Sequence, residues 1–502
     1  MPIVALDQGT TSSRAVLFDH DGRQIAQHNR AFTQLYPQPG WVEHDPDEIL
    51  FSQLSALRET LEMARISPQE VDALGITNQR ETVVVWDVRT GIPAHNAIVW
   101  QCRRTAQFCA DLAAQGLAPM IHQKTGLVLD AYATASKLRW ILEHVPDGLQ
   151  KARDGILVCG TIDTFLLWHL TGRKVHATDH TNASRTMLYN LHTHDWDQSL
   201  LDLFGIPRAM LPVILPSSCL YGVTDGNLIG AEIPIGGVAG DQQAALFGQC
   251  CFSAGEAKNT YGTGCFLLMH TGQTPMFSQN GLITTVAATP QGEPFGYAVE
   301  GSVFVAGAVI QWLRDELRVL DDAAQSELLA TSVPDTGGVV LVPAFTGLGA
   351  PYWDSDARGT LFGITRGTGR AHIARAALES IALQSYDVIS AMQRETGVPL
   401  TELKVDGGAS ANGFLMQFQS DLLHTVVRRP KVLETTALGA AYLAGLCCHI
   451  FPDLASLRAQ WQEDVRFVPE RDDAWRTQQV RRWQRAVSRT QHWLTEQEDA
   501  PQ

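Results

Sequence analysis

The chain has 502 residues, 45% of them hydrophobic and 18% charged, a globular composition that argues against a disordered chain. Its formal charge of −15, from 38 basic and 53 acidic residues, argues against wrapping nucleic acid or lying on anionic lipid, since both need a broad basic face. At roughly 150 residues per domain, the length implies more than one domain.

Read from the start, Met1-Pro-Ile-Val-Ala-Leu-Asp7 has no basic segment and its apolar run stops at Leu6, so no signal peptide is expected. Ile3–Leu6 reads as a strand, Asp7–Ser13 as a polar loop and Arg14–Phe18 as a second strand. Asp19–Gly22 is a hairpin signal before a third strand at Gln24–Gln27. Ala73–Thr77 is another strand, and Val238-Ala-Gly240 runs into a helical stretch at Gln242–Phe247. The opening rhythm then returns: Ala257–Thr260, the loop Tyr261-Gly-Thr-Gly264, Cys265–Met269, a Gly272 turn and Leu282–Ala287. We therefore expect an α/β chain with two domains of related topology, 1–249 and 250–502, meeting at a cleft with one phosphate-type loop from each. Further on, Asp406-Gly-Gly408 and Ala-Ser-Ala-Asn412 separate an apolar run from a helix. The uncharged stretch Thr435–Pro452 is too short in its apolar part for the ~20 residues of a membrane span, so a buried Ala/Gly-rich helix is expected and no stable membrane insertion. The Arg-rich stretch from Trp475 to Gln502 reads as a helix with a frayed end. Nine Cys without a CxxC pair fit a reducing cytoplasm.

Several nucleotide signatures are absent. No Lys follows a Gly, which removes the GxxxxGK[ST] loop, and GxGxxG, HRD and DFG do not occur. What remains is Asp7-Gln-Gly-Thr-Thr-Ser-Ser-Arg14. A Gly among hydroxyls lets backbone N–H groups turn toward phosphate while Thr10, Thr11 and Ser12 donate. Asp7 can hold Mg²⁺, directly or through water, and Arg14 can clamp a terminal phosphate. Alone, the same residues also describe an ordinary β-turn.

Taken with Tyr261–Gly264 and Asp406–Gly408, this ordered set resembles the FGGY carbohydrate kinases. Tyr132–His144, and Gly359–Ile364 continuing to His372–Glu379, look like that family's signatures. Gly75–Thr82, Trp100–Arg104, Thr181–Met187, Gly240–Phe247, Asn259–Phe266 and Pro343–Asp354 are similar to its members that phosphorylate glycerol, and the likeness thins after about Phe467. The resemblance implies a two-domain actin/hexokinase-like (ribonuclease H-like) ATPase fold with an interdomain cleft. It also implies ATP-dependent conversion of glycerol to sn-glycerol 3-phosphate in a cytoplasmic homo-oligomer, a dimer or tetramer. ATP contacts are implied for Thr10, Thr11, Ser12, Arg14, Thr263, Gly307, Gln311, Gly408 and Asn412, and Mg²⁺ for Asp7 and Asp241. Glycerol contacts are implied for Arg80, Glu81, Trp100, Tyr132, Asp241, Gln242 and Phe266.

These acceptor residues make chemical sense. Three hydroxyls on a thin hydrocarbon edge need paired polar groups and a flat apolar wall. Arg80-Glu81 offers a donor fork beside a carboxylate, or else a solvated ion pair after a strand. Trp100, Tyr132 and Phe266 offer the wall, although apart from the resemblance a core position is the more usual fate of such aromatics. Asp241 is the expected catalytic base, orienting the hydroxyl and taking its proton; on sequence alone it also reads as a helix N-cap. One departure stands out: Asp130-Ala-Tyr-Ala-Thr-Ala-Ser-Lys137 replaces the family's Asp-Pro-Tyr-Phe-Ser-Gly-Thr-Lys, so this loop is expected to be less constrained. The rival readings are a kinase for a ketopentose or sugar acid, and a non-catalytic ATP-gated sensor.

Overall fold

In the computed structural model, which describes residues 2–494, two mixed sheets share one topology. The first contains β1 (Ile3–Gln8), β2 (Ser12–Phe18), β3 (Gln24–Ala31), β4 (Ala73–Asn78), β5 (Ser218–Val223) and β6 (Pro234–Gly240), in the order β5-β6-β4-β1-β2-β3. The second contains β7 (Glu256–Tyr261), β8 (Cys265–Gly272), β9 (Ile283–Val286), β10 (Tyr297–Val303), β11 (Glu402–Asp406), β12 (Val427–Pro430) and β13 (Glu463–Phe467), in the order β9-β10-β8-β7-β11-β12-β13. In the first sheet β1, β2 and β3 form an antiparallel meander, and β4 and β6 add parallel strands. In the second, β7, β8 and β10 form the meander, and β11 and β12 add the parallel strands. Thus β3-β2-β1-β4-β6 corresponds strand for strand to β10-β8-β7-β11-β12.

The central strands are apolar on both faces because both faces are covered. Val4 and Leu6 pack in one core cluster while Ile3 and Ala5 pack in another. Two expectations need correction. Strands β1 and β2 run beyond their apolar cores, so the first loop is only Gly9-Thr10-Thr11 and Asp7 is a strand residue opposite Arg14. The second meander is completed by β10, with β9 paired outside it at the sheet edge. The long excursion before Tyr297 and the charge of Glu300 within β10 hide that strand from a hydrophobicity pattern.

Eight helices matter here: α1 (Pro46–Ala64), α2 (Thr134–His144), α3 (Asp241–Gly248), α4 (Gly307–Asp315), α5 (Arg370–Thr396), α6 (Gly413–Leu423), α7 (Thr435–Cys447) and α8 (Asp473–Thr490). The uncharged stretch forms the buried helix α7, as expected, and no helix among the described residues is long and apolar enough to cross a membrane. Although α7 lies between strands β12 and β13 of the second sheet in the chain, it packs on β1, β4 and β6 of the first and on α3. Small residues permit that approach: a Cβ on Gly439 would lie 1.8 Å from Ala244 O, and one on Gly75 would lie 2.2 Å from Ala440 O. Gly439→Ala should therefore push α3 and α7 apart at a cost of about 1–3 kcal/mol or more. A thermal scan should show a lowered midpoint, and activity should fall too, because α3 begins with Asp241. An unchanged midpoint would mean that the contact relaxes without strain.

The C-terminal helix forms as α8, burying Val480, Trp483, Ala486 and Val487, with Trp483 Nε1 donating to Asp387 Oδ2 at 2.6 Å. The expected frayed end falls on 495–502, outside the described residues. All nine Cys are free.

Candidate active site

The two phosphate-type loops leave equivalent strand ends. At the first, Gly9 N–H donates to Ser12 O at 2.9 Å, and Gln79 Nε2 braces Gly9 O at 3.1 Å. Burial, reinforced by the Asp241 and Glu434 carboxylates, pushes the Asp7 carboxyl up to about 7 against the opposing pull of Arg14. Arg14 is ion-paired with Glu434, the residue before α7, so reaching a phosphate requires it to leave or share that partner.

At the second loop, Thr263 O accepts from Ala306 N at 2.8 Å and Ala308 N at 3.1 Å, while Gly262 O accepts from Gly307 N at 2.9 Å. The loop is thereby tied to the start of α4. A Cβ on Gly307 would come within 2.6 Å of Gly262 O, which explains the glycine. Thr263 and Gly307 are brought together, and Gln311 lies one turn further along α4, exposed. The third motif ends β11: Gly407 has a left-handed φ of 82°, and a Cβ on Gly408 would meet nothing within 4 Å, leaving a bare ledge. Asn412 caps α6, its Oδ1 accepting from Leu415 N at 2.9 Å, and its Nδ2 reaches Ser326 Oγ at 3.4 Å.

A buried ion network links Arg80, Glu81 and Asp241 through Arg185 and Glu300. Arg80 donates to both Glu300 oxygens, at 2.5 and 3.0 Å, and its Nε lies 3.0 Å from Asp241 Oδ1. Arg185 Nε donates to Glu81 Oε1 at 2.6 Å, and its Nη2 reaches Glu300 Oε1 at 3.4 Å. Burial alone would raise the Glu300 carboxyl, but the Arg185 and Arg80 guanidiniums outweigh it and hold it at about 2. Glu81 goes the other way: burial raises it despite Arg185 and Arg80, because its bonds are fewer and one contact is 3.9 Å long. Glu81 also has a left-handed backbone, φ 60°, a strained geometry of the kind stored at functional sites.

Asp241 is the first residue of α3 rather than its cap. Gly240 holds the cap position, where a Cβ would meet Arg80 Cγ at 2.7 Å. Asp241 Oδ1 accepts from Gln242 N at 2.7 Å and lies 3.0 Å from Arg80 Nε, so both contacts fall on one carboxylate oxygen.

Trp100 and Tyr132 meet edge to face at 5.6 Å, and the Trp100 Nε1 donates to Thr10 Oγ1 at 3.0 Å. One wall residue is thus joined to the first phosphate loop. Arg185 lies over the Tyr132 ring at 5.7 Å. Phe266 is partly buried and enters from β8, opposite Thr260 and Ser302. Residues 130–137, which run into the first turn of α2, are held by several polar bonds. Buried Lys137 donates to Ala131 O at 3.1 Å and Tyr132 O at 2.5 Å, Arg103 forks onto Asp130, and Thr134 Oγ1 donates to Glu81 O.

Among the described residues no cluster of three or more His, Cys, Asp or Glu could hold a metal alone. That suits Mg²⁺, which takes one or two carboxylates and completes its shell with water and phosphate. Asp7, whose carboxyl is pushed toward neutrality by burial and by nearby carboxylates, is a group that a divalent cation would favour in its ionised form. The residues therefore fit the metal.

Sequence reasoning missed Glu300, Arg185, Lys258 and Glu434 as members of this site. Arg185 stood inside a quoted motif, and Lys258 and Glu300 are charges within strands, a usable sign of burial with a partner.

Residues 2–248 match the N-terminal domain of the FGGY family of carbohydrate kinases, and residues 257–448 match its C-terminal domain. The chain is 59% identical over 494 residues to a glycerol kinase of Symbiobacterium thermophilum, covering 98% of this chain and 99% of that one. Its structure is similar to Plasmodium falciparum glycerol kinase with ADP, at a TM-score of 0.93 and 37% identity over 97% of this chain and 98% of that one. A xylulose kinase from Lactobacillus acidophilus shares the fold at a TM-score of 0.87 and 21% identity, over 98% and 100% of the two chains. The chain belongs to the FGGY family of carbohydrate kinases, and its two-domain α/β fold is that family's.

Proposed function

We infer that the chain transfers the terminal phosphoryl group of ATP to glycerol, giving sn-glycerol 3-phosphate. The observation that carries this reading is the ion network at the start of α3, where Arg80 pairs with Asp241 and Glu300, and Arg185 of the same network lies over the ring of Tyr132, which meets Trp100 edge to face. The 59% identity to a glycerol kinase over nearly the whole chain supports it. Asp241 Oδ2 accepts the hydrogen bond of the attacking hydroxyl and takes its proton as the O–P bond forms and the bond to the ADP oxygen breaks. Asp7 and Asp241 would hold Mg²⁺ together with the nucleotide, and the ion would supply neutralisation of charge on the phosphates. Thr10, Thr11, Ser12 and Arg14 receive those phosphates from one side and Thr263 from the other. Gly307, Gln311, Gly408 and Asn412 receive the adenosine. Arg80, Glu81, Trp100, Tyr132, Gln242 and Phe266 surround glycerol.

Residues 1–249 thus supply the acceptor site and the first loop, and 250–502 supply the second loop and the nucleoside site. The same reading places the enzyme in the cytoplasm, where nine free thiols stay reduced, as a homo-oligomer.

Glycerol should exceed xylulose and ribulose by about 10²-fold or more in kcat/KM, about what a clashing or unpaired group costs. ADP release across glycerol, dihydroxyacetone, xylulose, ribulose and gluconate tests this. Equal rates on glycerol and xylulose would move the chain to a pentulose substrate. Trp100→Ala should relax the preference by enlarging the pocket, and an unchanged ratio would make Trp100 a core residue only.

A further inference from the structure

We propose that Lys258 is a positioning residue that sets the orientation of the Gln242 amide and thereby decides how the acceptor hydroxyls are read; this rests on the glycerol reading of the site. Lys258 is fully buried in β7 and has no part in the phosphoryl transfer described above. Its Nζ donates to Gln242 Oε1 and to Thr260 Oγ1, the latter at 2.9 Å. In register it stands opposite Leu268, which in turn stands opposite Glu300, so Lys258 and Glu300 share the sheet face that carries Thr260 and Phe266.

An ammonium can only donate, so the amide atom against it must be the oxygen. That contact settles an orientation that carbon-frame geometry alone leaves two-fold. It also leaves Gln242 Nε2 facing the other way. Among the described residues no protein group accepts from that nitrogen, and Gln242 is half-buried beside Asp241. The site then presents an N–H donor next to a carboxylate acceptor, a pair that reads one hydroxyl as acceptor and another as donor. Without Lys258 the amide can turn over and offer its oxygen instead. A Lys that only balanced the nearby Asp406, Asp241 and Glu300 carboxylates would alter stability and leave hydroxyl discrimination alone.

The test compares kcat/KM for glycerol, 1,2-propanediol and 1,3-propanediol in the full-length wild type, Lys258→Met, Lys258→Arg, Gln242→Ala and Gln242→Glu. In the wild type, loss of the hydroxyl that Gln242 reads should cost about 10-fold or more, since a buried donor is left unpaired. In Lys258→Met that one penalty should fall to about 3-fold or less, with glycerol KM rising more than kcat falls, while Lys258→Arg keeps the penalty because it keeps a cationic donor. Both penalties unchanged in Lys258→Met, while Gln242→Ala removes one, would overturn the proposal and leave the glycerol reading intact. Both unchanged in Gln242→Ala would overturn it by showing that Gln242 does not meet the acceptor. Should Lys258→Met fail to fold, as judged by an ADP-dependent thermal shift, Gln242→Glu decides. Its carboxylate keeps the Lys258 bond and has no donor to offer, so the same penalty must collapse; a persisting penalty overturns the assignment.

Discussion

Asp241→Asn is expected to fold and to bind nucleotide, and to turn over about 10² to 10⁴ times more slowly, the usual range for loss of a general base. The geometry makes this substitution unusually clean. The bonds from Gln242 N and Arg80 both fall on Oδ1, which an amide oxygen replaces without movement. Only Oδ2 changes, from a proton acceptor to an NH₂ group. The cap of α3 is Gly240, so the helix start does not depend on the carboxylate. Single-turnover kinetics with saturating ATP and glycerol separate chemistry from product release. Retention of more than about half the wild-type kcat, well short of one factor of ten, would remove Asp241 from the role of base.

The repeated strand–loop–strand was legible because two physical requirements coincide in it. A strand covered on both faces reads as an unbroken apolar run, as in Ile3–Leu6, and a loop that wraps phosphate needs Gly and hydroxyls. The ends of those strands were not legible, because Asp7 and Gln8 look like loop residues although they pair in register with Arg14 and Ser13. Strand β10 was passed over for β9, since Glu300 interrupts its apolar pattern. The partners that make such charges tolerable come from far along the chain. Arg80 and Glu300 are separated by 220 residues, and Arg14 and Glu434 by 420, so no local window contains either pair. The aromatics behaved differently again: Trp100 and Tyr132 could be named, but not the bond from Trp100 to Thr10 that ties this aromatic pair to the loop between β1 and β2.

Glu300→Ala is expected to be the most destabilising single change in the site, costing about 3–5 kcal/mol, as for removal of one partner from a buried ion pair. The network has Arg80, Arg185 and Lys258 against Glu81, Asp241 and Glu300, with Glu300 taking the fork of Arg80 and one arm of Arg185. Removing it leaves two buried guanidiniums with Glu81 and Asp241 as the remaining partners. The depressed carboxyl value points the same way. Against burial, the Arg185 and Arg80 guanidiniums hold it at about 2, well below the ordinary carboxylate value, so the ionised form stabilises the native state at neutral pH. The sign follows from the depression: this contribution is fully present above the ordinary carboxylate value and is lost as pH falls toward 2. Glu300→Gln keeps the shape and one acceptor and should cost less than Ala. Because Glu300 belongs to the second sheet and its partners to the first half of the chain, the loss should also loosen Arg80 from Asp241 and raise glycerol KM. Denaturant titrations at neutral pH and at pH 3, with glycerol kinetics on the Gln variant, measure both effects. Equal stability of Glu300→Ala and the wild type at neutral pH would show that the two arginines find other partners or water when Glu300 is gone.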